Sequence, residues 1–173
     1  MKFKKMILLS TLAVPVAFGV YYFIPEKALP KGSEVDRLVV YKSKRKMLAY
    51  SGENLLKTYT ISLGKNPVGH KQFEGDKKTP EGIYTINDRN PNSAYHKNLG
   101  VSYPNEGDRE FAEKQGKSPG GLIKIHGLRN DRGYIGKFHR WKDWTAGCIA
   151  VTDKEIDELY KAVKHNAVIE ILP

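Results

Sequence analysis

The sequence predicts a mainly β domain with one packed helix near its C-terminus, preceded by an N-terminal transmembrane segment. Three observations carry that expectation. Short β-rich runs separated by turn residues begin near residue 35, a capped helix pattern begins at Thr152, and an uncharged stretch from Met6 to Ile24 follows three lysines. A chain of 173 residues holds one domain plus an extension and can bury a core without disulfide staples.

Lys2, Lys4 and Lys5 make residues 1–5 a basic stub that should stay cytoplasmic. Residues 6–24 are about long enough to cross a bilayer, which takes roughly 17 to 25 apolar residues. They exceed the core of about 7 to 15 residues usual in a signal peptide, and no small-x-small cleavage pattern follows. Tyr21 and Tyr22 suit the outer interface. The expectation is an uncleaved anchor in the cytoplasmic membrane with the domain outside it, periplasmic or extracytoplasmic; cleaved secretion is the alternative. No cysteine follows the apolar run closely, so a lipoprotein is excluded. Residues 25–34, PEKALPKGSE, read as a polar linker, and residues 35–173 as the domain.

The formal charge of +10 points to an anionic partner. Residues 1–24 contribute three lysines and no acid, so the exported part keeps +7. Outside the cytoplasm the anionic candidates are wall polymers and membrane surfaces, which removes nucleic acid as a partner.

The first β-rich runs are Leu38–Tyr41, Met47–Tyr50 and Leu56–Leu63, with Ser51-Gly52-Glu53-Asn54 as a hairpin turn. In the third run Tyr59 and Ile61 alternate with Thr58, Thr60 and Ser62, the pattern of a half-buried strand. A loop dense in glycine and proline leads to the strand-like IYTI, and GGLIKIHG gives a further strand ending at His126. One or two short helices are expected around Arg109–Gln115. Thr152 and Glu155 then form a capping box, and Ile156, Leu159, Tyr160 and Val163 follow at helical spacing. NAVIEILP reads as a closing strand.

Cys148 is the single cysteine, so no intrachain disulfide exists and the thiol is either core packing or chemistry. A thiol needs a base or a lowered pKa to act as a nucleophile. Of the five histidines, His126 ends a predicted strand before Gly127, and non-local strand pairing can bring it to Cys148. Gly147 lets a substrate carbonyl approach the main chain, and the N–H groups of Gly147 and Cys148 could form an oxyanion hole. Thr145 could orient the histidine or its neighbours. Cys148 with His126 and His139 shows no compact zinc-ligand spacing, so no metal is expected.

The ordered segments GDKKTPEGIYTI, SYPN, PGGLIKIHG and DWTAGCIAVTD resemble the L,D-transpeptidase catalytic domain, the YkuD-type family, over roughly Val35 to Pro173. The resemblance implies a compact β-barrel or sandwich-like domain with one packed helix. It also implies Cys148 as nucleophile, His126 as general base and acid, and Thr145 as the small hydroxyl residue of the signature. The implied reaction is acyl transfer on peptidoglycan stem peptides in the bacterial envelope. A thioacyl-enzyme forms, D-alanine leaves, and a neighbouring stem supplies the acceptor amine, with no cofactor. Water as acceptor would give a hydrolase, an L,D-carboxypeptidase or an amidase that releases wall-bound protein. A non-catalytic wall-binding module is the third possibility.

Two positions depart from that pattern. Cross-linking members often carry His where this chain has Ala146 and Arg where it has Ala150. Arg129, Arg132 or Arg140 are the arginines that could compensate. Gly127, Tyr95, Tyr103 and Arg129 are expected at the substrate groove.

Overall fold

The computed structural model describes residues 15–173. The basic stub and the first part of the expected anchor, residues 6–14, lie outside the described residues. Residues 15–23 are helical (α1), and among the described residues no helix is long and apolar enough to cross a membrane.

Eight strands follow in one sheet: β1 (Val35–Tyr41), β2 (Lys46–Ser51), β3 (Asn54–Thr60), β4 (Gly82–Ser93), β5 (His96–Val101), β6 (Lys124–His126), β7 (Ile149–Ala150) and β8 (Val163–Leu172). Their order is β3-β2-β1-β8-β4-β5-β6-β7. The pairs β1/β8 and β6/β7 are parallel and the other neighbours antiparallel. The two ends of this order meet. Ser62, just beyond β3, bridges Ala150 in β7, and Gly64 bridges Thr145, which precedes β7. The sheet therefore curls into a half-barrel, which removes most of its free edge.

The third expected run stops as a strand at Thr60, because Ser62 to Gly64 leave β2 to make these closing bridges. Tyr59, Ile61 and Leu63 are fully buried, as the alternation predicts. GGLIKIHG shortens to β6, since Gly120 and Leu122 both have positive φ and cannot continue a ladder. The hairpin β4–β5, with Ala94 and Tyr95 at its tip, extends IYTI far beyond the expected strand.

Helix α2 (Glu106–Lys114) occupies the region expected to hold a short helix and begins with a capping box between Asn105 and Asp108. A 3₁₀ segment, η1 (Gly133–Trp141), breaks at Gly136. Helix α3 (Asp153–Ala162) starts with the expected box, Thr152 accepting from the Glu155 N–H and Glu155 from the Thr152 N–H. It buries Ile156 and Leu159 against the concave sheet, whose core includes Leu38, Val40, Ile86, Leu99, Ile125, Ile149 and Ile169. Val163 already belongs to β8, so helix passes directly into closing strand.

Helix α1 lies against η1. Phe18 packs on Trp141 with ring centroids 5.4 Å apart, and Tyr22 on Phe138 at 5.3 Å. The Tyr22 hydroxyl donates to the Tyr134 carbonyl at 2.7 Å. Behind it Arg140 bridges Glu26 and Glu155, at 2.7 and 2.8 Å.

Candidate active site

Residue 126 ends β6 and residue 148 immediately precedes β7, and these strands are parallel neighbours with His126 opposite Ala150. The pairing brings the thiol and the imidazole to one pocket of about 440 Å³. It is lined by Cys148, His126, Thr145, Ala146, Trp144 and Tyr95, with further residues from the surrounding strands and loops.

His126 is 5% exposed. Its Nδ1–H donates to the Gly127 carbonyl at 2.7 Å. A carbonyl can only accept, so this bond places a proton on Nδ1, and in the neutral ring the lone pair is then on Nε2. Burial pushes the imidazole pKa below its ordinary value, against a smaller opposing effect of the Gly127 bond. Tyr95, from the β4–β5 tip, packs on the ring at 4.7 Å, and Trp144 meets it edge-on at 5.6 Å.

The Cys148 thiol donates to the Leu122 carbonyl at 3.5 Å. Burial raises its pKa above the usual thiol range, more than the nearby Lys124 and Lys71 lower it. Thiol and imidazole therefore both rest neutral at neutral pH. This arrangement suits proton transfer to Nε2 as the sulfur attacks a carbonyl, rather than a standing thiolate–imidazolium pair.

Thr145 closes the turn that presents the thiol. Its hydroxyl donates to the Cys148 carbonyl at 2.7 Å and accepts from the Gly147 N–H at 3.1 Å. The Gly147 N–H expected in an oxyanion hole is thus already engaged. For the Cys148 N–H no acceptor is found among the described residues, which makes it the available main-chain donor. Gly147 has φ of 140°, and a Cβ there would stand 2.7 Å from the Lys78 carbonyl oxygen, so only glycine fits.

The other expected residues divide. Gly127 sits beside Asp153, with no room for a side chain. Tyr103 is 5% exposed in the core, its hydroxyl donating to the Pro119 carbonyl at 3.0 Å, and it does not line the pocket. Arg129 also lies off the pocket, paired on the surface with Asp131 at 3.1 Å. Arg132 leans on the same carboxylate, and Arg140 is committed to Glu26 and Glu155, so no arginine reaches the thiol pocket. Ala150 is fully buried in β7. Among the described residues no cluster of side chains suited to a metal is present.

Sequence reasoning missed Asn98, Trp144, Leu122 and three lysines of the pocket wall: Lys65, Lys77 and Lys124. Asn98 faces His126 across the β5–β6 ladder, is 5% exposed, and its Oδ1 lacks a hydrogen-bond partner. Only strand register reveals it. Trp144 lay within the DWTAGC segment and could have been found there as the aromatic beside the thiol turn.

A family model of the L,D-transpeptidase catalytic domain (YkuD) matches residues 35–171. The chain is 31% identical over 130 residues to YafK of Escherichia coli (strain K12), which bears the L,D-transpeptidase name provisionally. That match covers 72% of this chain and 45% of YafK, so the chain spans about half the length of this relative. Among solved structures, the helical cell shape determining protein Pgp2 of Campylobacter jejuni aligns with a TM-score of 0.60 at 25% identity, over 83% of this chain and 50% of Pgp2. Bd1075 of Bdellovibrio bacteriovorus aligns with a TM-score of 0.55 at 25% identity, over 84% of this chain and 51% of Bd1075.

Proposed function

The chain belongs to the L,D-transpeptidase catalytic-domain family, and on that premise we propose that it carries out cysteine-dependent acyl transfer on peptidoglycan stem peptides. The observation that carries this reading is one pocket holding the chain's single thiol and a histidine whose Nε2 is free.

In the first half-reaction the Cys148 proton passes to His126 Nε2 as the sulfur attacks the carbonyl of the L-centred diamino acid at stem position three. The Cys148 N–H faces the developing oxyanion. The bond to the terminal D-alanine breaks, its nitrogen takes the proton from His126, and a thioester remains. In the second, an amine from a neighbouring stem gives its proton to His126 and attacks the thioester. The sulfur leaves, is reprotonated by His126, and a cross-linking amide is formed. Thr145 acts by holding the turn, Gly147 by letting the main chain pass, and Tyr95 and Trp144 by packing the imidazole into place. No cofactor takes part. The basic stub and apolar run favour a membrane-tethered domain acting outside the cytoplasmic membrane.

Hydrolysis is the second reading, favoured by Ala146 in the pocket wall and by Ala150 fully buried in β7. Cross-linking members often carry a histidine and an arginine at these two places, so this chain lacks both groups where an acceptor amine would be handled.

The test incubates the full chain in detergent with a purified tetrapeptide muropeptide and reads products by mass spectrometry, with Cys148→Ala as control. A cross-linked dimer lacking one D-alanine, absent from the control, establishes the transpeptidase. Tripeptide alone establishes the hydrolase. No product and no adduct on Cys148 rejects acyl transfer altogether.

A further inference from the structure

The charged groups that line the thiol pocket are all cations apart from the neutral His126: Lys65, Lys77 and Lys124, with no Asp or Glu among the lining residues. The two other cavities differ. One includes Glu81 and Asp108 and the other Asp153. The positive lining is therefore particular to this pocket and not a mere echo of a basic chain.

Two of the three lysines have no carboxylate within ion-pair distance among the described residues. Lys124 is paired with Asp88 at 2.8 Å, whereas Lys65 and Lys77 are exposed and make no such pair. Lys65 is held at the backbone by the segment that carries the thiol, and Lys77 by the residue that follows Lys65. The Lys65 N–H donates to the Thr145 carbonyl at 3.0 Å, and the Asn66 N–H donates to the Lys77 carbonyl at 3.1 Å. The next carbonyl, that of Lys78, occupies the space that a Cβ on Gly147 would need.

Lys77 is also held at φ of 58°, a region costly for a side chain with a Cβ. Asp76 enforces that turn. Its carboxylate accepts from the main-chain N–H groups of Gln72, Phe73 and Lys78 and from the Lys71 ammonium. A residue as long as lysine at a position that favours glycine or asparagine calls for a use of its side chain.

We propose that Lys65 and Lys77 form a carboxylate-binding subsite at the thiol pocket, and that its ligand is the free C-terminal carboxylate of the leaving D-amino acid. The proposal rests on the stem-peptide reading above and names what that site selects. In a tetrapeptide donor this carboxylate is one residue beyond the scissile bond, and Lys65 and Lys77 line the same pocket as the thiol that attacks that bond. Asn98, buried beside His126 with an unpartnered Oδ1, supplies an acceptor for a peptide N–H in the same pocket. Together they select a peptide that ends soon after the cleaved bond. Extending the donor or masking its carboxylate removes the interaction.

The experiment compares a tetrapeptide muropeptide ending in D-alanine with the same peptide bearing a C-terminal amide. Turnover is measured on the full chain, and binding by calorimetry on the full-length Cys148→Ala protein. The expected result is a preference for the free acid of about tenfold or more in kcat/KM and in Kd, diminished by added salt. In the Lys65→Gln/Lys77→Gln protein the acid-to-amide ratio should fall close to one. Equal use of the two peptides by the unmodified protein overturns the subsite, as does a preference that survives the double substitution. Acid-selective binding to Cys148→Ala without turnover by the unmodified protein supports the subsite while removing the acyl-transfer reading. Binding of neither peptide overturns the subsite.

Discussion

The Nδ1–H of His126 donates to the carbonyl of its own neighbour Gly127 at 2.7 Å. In many nucleophile–base pairs a carboxylate or amide orients the histidine. Here a main-chain carbonyl fixes the tautomer, and its position depends on Gly127 fitting beside Asp153, where a Cβ would come within 2.7 Å of Oδ1. Asp153 cannot yield freely, because the same oxygen accepts from the Leu128 N–H at 2.7 Å.

Gly127→Ala should therefore slow acyl-enzyme formation without touching thiol or imidazole. His126→Ala should cost about 10²- to 10⁴-fold, the usual range for a general base, with far-UV circular dichroism unchanged. Gly127→Ala should lie between that variant and the unmodified protein. Single-turnover labelling of Cys148 by a stem-peptide thioester checks both, and full activity in His126→Ala would remove the histidine from the mechanism.

The resting protonation states predict the pH dependence of alkylation. The Cys148 thiol titrates above its ordinary range and His126 below its own, both chiefly through burial. The sign is then fixed. Iodoacetamide should react slowly near neutrality and faster as pH rises past about 8.5, where an ordinary thiol ionises. A rate already at its plateau between about pH 5 and 7 would show a thiolate–imidazolium pair instead.

Thr145 holds the thiol turn by two bonds, donating to the Cys148 carbonyl and accepting from the Gly147 N–H. The side chain is 5% exposed, so Thr145→Val keeps shape and leaves both partners unsatisfied. The expected cost is about 1–3 kcal/mol in urea unfolding. Thr145→Ser, which keeps the hydroxyl, should recover most of it together with activity. If valine is tolerated in both stability and rate, the turn is held by Gly147 packing alone.

Much of this site was legible because its signals are local. The capping box at Thr152 and Glu155 and the hairpin turn at Ser51 to Asn54 each act over a few residues and form as read, whereas the glycines beside His126 and Cys148 serve close packing against Asp153 and the Lys78 carbonyl. Asn98 was not legible, since HKNLGV looks polar and becomes a strand only through pairing with β4 and β6. Tyr103 misled for the converse reason. A tyrosine near a motif looks like groove lining, whereas here its ring packs in the core near Tyr84 and its hydroxyl finds the Pro119 carbonyl. The arginines expected to replace the one missing at Ala150 are tied to acids whose positions only the tertiary structure supplies.

Behind the site, His139 makes a stability prediction whose sign follows from its bonds. It is 6% exposed. The Ser62 hydroxyl donates to the His139 carbonyl at 2.9 Å, so Ser62 Oγ is left to accept from the His139 Nδ1–H at 3.2 Å. Nε2 has no partner. Burial, then the charge of Arg140 and, once it is protonated, that of His126, press the pKa down to about 3. In the unfolded chain the same group titrates near about 6.5. The folded form thus refuses a proton that the unfolded form accepts. Its stabilisation is complete above the unfolded pKa and is lost as pH falls from about 6.5 towards about 3. His126 acts in the same direction, and Asp76 and Asp157, with lowered pKa values, add losses at the acid end. The contribution of His139 is therefore read as a difference. His139→Phe should be less stable at pH 7, where the bond to Ser62 is missing, yet lose less stability between pH 7 and pH 4 than the unmodified protein. Urea unfolding at the two pH values measures both slopes, and parallel losses would show that His139 takes up its proton without leaving the fold.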